Sequence, residues 1–104
     1  MKKIVIKLEY QCYPMWVYNN NSLIDNDLVE ELTDDNNLDR KLMEIQNTYD
    51  NLFINNKIEF IYKGFPNSED KLRFKKLIDE VVLDIKRKIG NKYIIENAIN
   101  YEEI

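Results

Sequence analysis

Residues 3–18 read KIVIKLEYQCYPMWVY. The first eight alternate. Ile4, Ile6, Leu8 and Tyr10 fall on one face, and Lys3, Val5, Lys7 and Glu9 on the other. Period two with β-branched residues predicts a half-buried strand over residues 3–10. Pro14 interrupts the pattern, and Met15 to Tyr18 predicts a second strand. Gln11 to Pro14 is then the connection of a hairpin. Tyr13-Pro14 is a peptide bond at which the cis form is accessible. Asn19-Asn20-Asn21-Ser22 is a turn, because Asn tolerates positive φ and bonds its own backbone. Leu23 to Asp25 can return as a short third strand.

Outward from this start, residues 26–37 are polar and acidic, with Leu28, Val29 and Leu32 as anchors and room for one helical turn. Leu38, Leu42, Ile45, Tyr49, Leu52 and Phe53 then trace one face of a 3.6-residue period. That predicts a helix from about Leu38 to Phe53, capped by the oxygens of Asp35 to Asp39 and ended by Asn55-Asn56. Lys57 to Tyr62 predicts another strand, and Gly64 to Asn67 a turn. Ser68 is a good N-cap for a second helix. Its apolar stripe is Phe74, Leu77, Ile78, Val81, Ile85 and Ile89, with Gly90 suited to the C′ position. Tyr93 to Ile95 predicts a last strand, and the tail is expected to be loose from about residue 97. Both helices are apolar on a single face, so both should pack on one side of the sheet. The fold class is α+β: a small antiparallel or mixed sheet of four to five strands with two amphipathic helices on one face. The chain of 104 residues has the length of one domain.

Composition excludes most catalytic machinery. There is no His, one Cys (Cys12) and two Gly (Gly64, Gly90). No Ser-His or Cys-His nucleophile pair can form. One thiol and no imidazole cannot build a zinc site. Two glycines 26 residues apart supply no phosphate-cradling loop. Asp25-Asn26-Asp27 begins like a calcium loop, but Val29 and Glu30 occupy the positions where oxygen and Gly are required. The carboxylate pairs Glu30-Glu31 and Asp34-Asp35 have no signal of burial that would tune them for acid–base work. No catalytic, cofactor-binding or metal-ligating residue is assigned, and no enzymatic activity is expected. The basic start MKK is followed by only three apolar residues before Lys7, too few for a signal peptide, and no stretch is long enough to span a membrane. A cytoplasmic protein is expected, with Cys12 a small buried hydrophobe.

Fifteen Lys and Arg against nineteen Asp and Glu give a net charge of −4, which hides a strong asymmetry. Between Lys7 and Arg40 there are eight acids and no base: Glu9, Asp25, Asp27, Glu30, Glu31, Asp34, Asp35 and Asp39. Residues 71–92 carry eight bases against three acids. Such a chain is a poor binder of nucleic acid but a good electrostatic lure for a basic protein. Trp and Tyr are favoured interface anchors. The candidate partner-binding residues are therefore Tyr13, Trp16, Tyr18, Asp25, Asp27, Glu30, Glu31, Asp34 and Asp35. Trp16 and Tyr18 lie on the open sheet face if Met15 and Val17 point inward.

The segment KLEYQCYPMWVY, followed by LIDNDLVEEL, resembles small cytosolic immunity proteins of bacterial polymorphic and contact-dependent inhibition toxins. The similarity runs from Lys3 to about Phe53, with echoes in Glu59-Phe60 and Lys63-Gly64-Phe65. It carries no residue-level motif, so it transfers no functional position. It implies a tight inhibitor that covers the active site of a cognate toxin domain, often a nuclease, or blocks it from a neighbouring surface. The expected state is a monomer, or a one-to-one complex with a basic toxin. Two other classes fit the composition: an acidic decoy of phage type that occupies a nucleic-acid groove, and a small structural or adaptor subunit.

Overall fold

The computed structural model describes all of residues 1–104. Strand β1 (Lys3–Ile6) pairs antiparallel with β2 (Met15–Asn19), which pairs antiparallel with β3 (Ser22–Asp25). A one-turn 3-10 helix follows at Glu30–Leu32, then α1 (Asn36–Asp50). Strands β4 (Phe53–Asn55) and β5 (Phe60–Tyr62) form a hairpin, and α2 (Ser68–Ile89) leads to β6 (Ile94–Asn97). A second 3-10 turn spans Tyr101–Glu103. The main sheet has the order β3-β2-β1-β6, and β6 runs parallel to β1. The architecture is α+β with a mixed four-stranded sheet, to which a separate two-stranded sheet is added.

Alternation decides the layers. Ile4, Ile6, Met15 and Val17 point to one face and are buried there with Leu38, Leu42 and Ile45 of α1 and Phe74, Ile78, Val81, Val82, Ile85 and Ile89 of α2. Both helices thus cover the same side of the sheet. Each side chain of this size contributes about 1.5–3 kcal/mol when fully buried, so this one cluster dominates stability. The β2–β3 turn sets Asn20 at φ 51° and Asn21 at φ 68°, the two positive angles that a tight primed hairpin turn requires.

Several boundaries differ from the sequence reading. Regular pairing of β1 stops at Ile6 rather than reaching Tyr10. The chain turns there, with the Cys12 amide bonded to the Glu9 carbonyl at 3.1 Å and Gln11 at φ 59°. No peptide bond is cis, Tyr13-Pro14 included. Helix α1 ends at Asp50, so Phe53 is the first residue of a strand and not the last of the helix. The strand expected at 57–62 is regular only over Phe60–Tyr62, and its partner is β4 rather than the main sheet. The N-cap of α2 is Asn67, whose Oδ1 accepts from the Asp70 amide at 2.8 Å, rather than Ser68. Gly90 ends α2 in right-handed geometry at φ −62°, so its freedom to adopt positive φ is not used. The tail expected to be loose closes over the core instead. Ile99, Tyr101 and Ile104 pack against it, and the Tyr101 hydroxyl lies 3.2 Å from Asp79.

Candidate partner-binding surface

The acidic segment leaves β3 and crosses to α1 as a pinned loop. Asn26 fixes its start, because its Nδ2 donates to the carbonyls of Tyr13 at 2.6 Å and Met15 at 2.9 Å. Asp25 and Asp27 each accept from the following backbone amide, at 2.9 and 2.8 Å, and stay exposed. Val29 and Leu32 insert into the core at 6% and 3% exposure. Between them the 3-10 turn holds Glu30 and Glu31 outward, and Thr33 Oγ1 donates to the Glu30 carbonyl at 2.9 Å. Two buried anchors therefore carry a row of exposed carboxylates on an ordered backbone.

These carboxylates are not equivalent. Asp35 caps α1 by accepting from the Leu38 amide at 3.0 Å, and it pairs with Lys88 of α2, which also contacts Asp84 at 2.9 Å. The Lys88 hydrogen bond, followed by the Leu38 amide, holds the Asp35 carboxyl below the usual carboxylate range. The hydrogen bonds to Asp35 and then to Asp84 hold the Lys88 ammonium above its ordinary value. Glu31 accepts from the Tyr93 hydroxyl at 2.9 Å. A backbone hydrogen bond and then this contact lower the Glu31 carboxyl, while burial and Glu31 push the Tyr93 phenol up to about 12. Asp25, Asp27, Glu30 and Asp34 form no ion pair. Lys88 therefore pairs one end of the acidic segment, Lys92 and Lys2 act on Glu31, and Asp25, Asp27, Glu30 and Asp34 are left without an ion pair.

The three aromatic candidates sit elsewhere than a free surface cluster would. Trp16 does lie on the sheet face away from the helices, yet it is only 7% exposed. Its Nε1 donates to the Lys7 carbonyl at 3.1 Å, and the Lys7 ammonium lies 4.5 Å from the ring centroid. This corrects the expectation that Trp16 stands open as an anchor, because the 7–14 loop folds back over it. Tyr13 is half-buried and donates to Asp39 at 2.8 Å. Burial first, and then Asp39, raise its phenol far above the ordinary tyrosine range, so it stays a neutral donor. Tyr18 keeps part of its surface, beside the Lys3–Glu96 pair at 3.7 Å.

A second surface feature was not found from the sequence. Five large exposed hydrophobics, Ile54, Ile58, Phe60, Ile61 and Tyr62, crowd into the β4–β5 hairpin. The signal in the sequence is the run of apolar residues at 58–62, which reads as a strand and does not show that it stands apart from the main sheet. A cavity of about 530 Å³ lies at the base of this hairpin between α1 and α2. Its charged lining mixes Glu44 and Asp70 with Lys63 and Arg73. No cluster of three or more His, Cys, Asp or Glu is arranged to hold a metal ion. Cys12 is a free thiol, half-buried rather than fully enclosed. No helix is long and apolar enough to cross a membrane.

An ordered acidic loop, a mixed sheet covered by two helices on one side and no assembled donor set describe a small α+β protein whose surface offers charge and apolar contacts. The chain belongs to the family described as Serratia CdiI immunity protein-like, whose family model matches residues 2–98. Membership makes it a bacterial immunity protein of the contact-dependent inhibition type, a toxin inhibitor whose partner is a cognate toxin. A comparison with curated proteins gave no match.

Proposed function

We propose that this immunity protein neutralises a basic, nuclease-type toxin domain in the cytoplasm, as a one-to-one complex and without catalysis of its own. In this reading the loop from Asp25 to Asp34 faces the toxin's substrate-binding surface. The supporting observation is the set of carboxylates Asp25, Asp27, Glu30 and Asp34, exposed and free of ion pairs on a loop anchored by Val29 and Leu32. A nuclease must present cationic groups to a polyanion. Fixed carboxylates offer those groups a competing counter-charge and raise the rate of encounter. Tyr18 adds an aromatic edge and Glu31 adds charge, while Asp35 and Tyr13 brace the loop through Lys88 and Asp39, and Trp16 lies enclosed on the other face of the sheet.

The test is kinetic. Reversing the charge at Asp25, Asp27, Glu30 and Glu31 slows association with the cognate toxin domain by about tenfold or more at low salt. It also flattens the salt dependence of the on-rate, because fewer charges are left to screen. An on-rate and salt slope equal to those of the wild type would remove the acidic loop from the interface. A toxin domain whose activity is unrelated to nucleic acid would remove the nuclease assignment.

A further inference from the structure

The β4–β5 hairpin is an unusual object for an exposed position. Two strands of three residues, without a third, are marginal in water. Here the register pairs Phe53 with Tyr62, Ile54 with Ile61 and Asn55 with Phe60. Side chains alternate, so Phe53, Phe60 and Tyr62 share one face and Ile54 and Ile61 the other. The aromatic face is fastened to the body. Phe53 stacks on Phe60 at 5.1 Å, and Tyr10 meets Phe53 at 4.9 Å and Phe60 at 4.8 Å. Tyr49 of α1 meets Phe53 at 5.2 Å. Exposure is similar on the two faces, with Phe60 54% and Tyr62 39% exposed on the aromatic one and Ile54 38% and Ile61 45% on the other, and the ring contacts to the body are made by the aromatic face.

The tip is built to hold one apolar side chain in solvent. Asn56 Oδ1 accepts from the amides of Ile58 at 2.8 Å and Glu59 at 3.0 Å, and the Asn56 amide donates to the Glu59 carbonyl at 3.0 Å. This closed turn leaves Ile58 93% exposed. Scattered single hydrophobics on a surface are ordinary, but five within nine consecutive residues on an ordered hairpin mark a contact site.

The charges around the hairpin indicate what covers it. The loop joining β1 to β2 runs beside α1 from the acidic segment to the hairpin. At one end Tyr13 holds Asp39; at the other the Gln11 amide donates to Asp50 at 2.8 Å and Tyr10 enters the aromatic stack. Asp39 and Asp50 are separated by about 16 Å of helix. At the aromatic end burial, and after it Asp50 and Glu9, raise the Tyr49 phenol above its ordinary value. Asp39, Asp50 and Glu9, the last paired with Lys7 at 3.7 Å, thus lie between the Asp25–Asp34 loop and the hairpin, whose own charges are Lys57, Glu59 and Lys63. Engaging both takes a footprint longer than the roughly 30 Å of a patch of about 800 Å², because Lys88, paired with Asp35, and the hairpin's exit at Ser68 are themselves separated by about 30 Å of α2. A symmetric contact with a second copy would set this acidic flank against its own duplicate. A basic toxin domain meets it with opposite charge.

We propose that the β4–β5 hairpin is the apolar anchor of the interface with the cognate toxin domain, with Ile58 seated in the toxin and Ile54 and Ile61 beside it. This rests on the toxin-neutralising role proposed above and extends it. The acidic loop governs encounter, and the hairpin governs residence once the two proteins are docked.

The experiment compares wild-type protein with I58D, each bound to the toxin domain encoded by the adjacent gene, by biolayer interferometry. Thermal melting and sedimentation velocity of each free protein are run alongside. Ile58 touches so little that I58D melts at the wild-type temperature. Its complex dissociates faster, and its Kd rises by about tenfold or more. If I58D binds as the wild type does, the hairpin is not the anchor while the neutralising role stands. If the wild type itself does not bind, that role fails and takes the anchor with it. A free wild type that dimerises, and that I58D makes monomeric, would assign the hairpin to a second copy and overturn the proposal.

Discussion

Asp35 shows how one residue serves two purposes at once. Its carboxylate caps α1 through the Leu38 amide and ties α1 to α2 through Lys88. Losing an Asp N-cap costs about 1 kcal/mol, and losing a largely solvated ion pair adds a few tenths. Asp35→Ala therefore lowers unfolding free energy by about 1–1.5 kcal/mol at pH 7 in urea denaturation. The pH dependence has a definite sign. The Asp35 carboxyl is held below its ordinary value in the folded state, chiefly by Lys88. Its contribution is present above the unfolded value of about 3.9 and disappears as pH falls through the folded value. The gap between wild type and Asp35→Ala thus narrows below about pH 4. A gap of constant size from pH 7 to pH 3 would show that the carboxylate's charge contributes nothing. The sequence placed the cap within Asp35 to Asp39, before an apolar stripe, and the structure puts it at Asp35. Lys88 as its partner, 53 residues away, had no local signal.

At the scale of elements, the turns and helices were legible because short-range chemistry specifies them. Asn20-Asn21 is a clear case, with both residues at positive φ. Gly prefers that geometry to Asn, so Asn21→Gly raises stability by about 0.5 kcal/mol, while Asn21→Val lowers it by about 1 kcal/mol or more. Equal melting temperatures for these two variants would contradict the turn as described. The β4–β5 hairpin was the element most misread. Leu52 and Phe53 continue the apolar period of α1, so nothing in the pattern separates the end of a helix from the start of a strand. Three-residue strands are too short to show a period of their own. The deciding contacts are tertiary: Tyr10 and Tyr49 hold Phe53 in an aromatic stack. They also depend on the 7–14 loop leaving the sheet, where sequence alternation suggested four more residues of strand. That same loop closes over Trp16.

Across the whole molecule, the last strand has an importance that its length does not suggest. β6 enters parallel to β1 and covers what would otherwise be a free edge of the sheet. Tyr93 before it is 8% exposed, and Ile95, Ile99, Tyr101 and Ile104 pack on the shared core. A chain truncated after Lys92 loses all of these contacts. At roughly 1 kcal/mol for each half-buried apolar side chain, the loss is a large fraction of the 5–15 kcal/mol typical of a folded domain. The truncated chain is expected to lose its cooperative thermal transition in circular dichroism and to be cleaved rapidly by protease. A sharp transition within a few degrees of the full chain would show that β6 and the tail are dispensable.

The sequence alone determined the α+β class, the two helices, the first hairpin, the absence of a His- or Cys-based catalytic set and the acid–base asymmetry along the chain. Each depends on neighbours a few residues apart or on composition, where periodicity, capping and residue chemistry act directly. Only the tertiary structure decided that β6 pairs in parallel, that Lys88 neutralises Asp35, that Trp16 is enclosed and that the hairpin's isoleucines are left uncovered. The physical reason is shared. Those outcomes are contacts between residues distant in sequence, set by which surfaces remain unburied once the helices have packed on one face of the sheet.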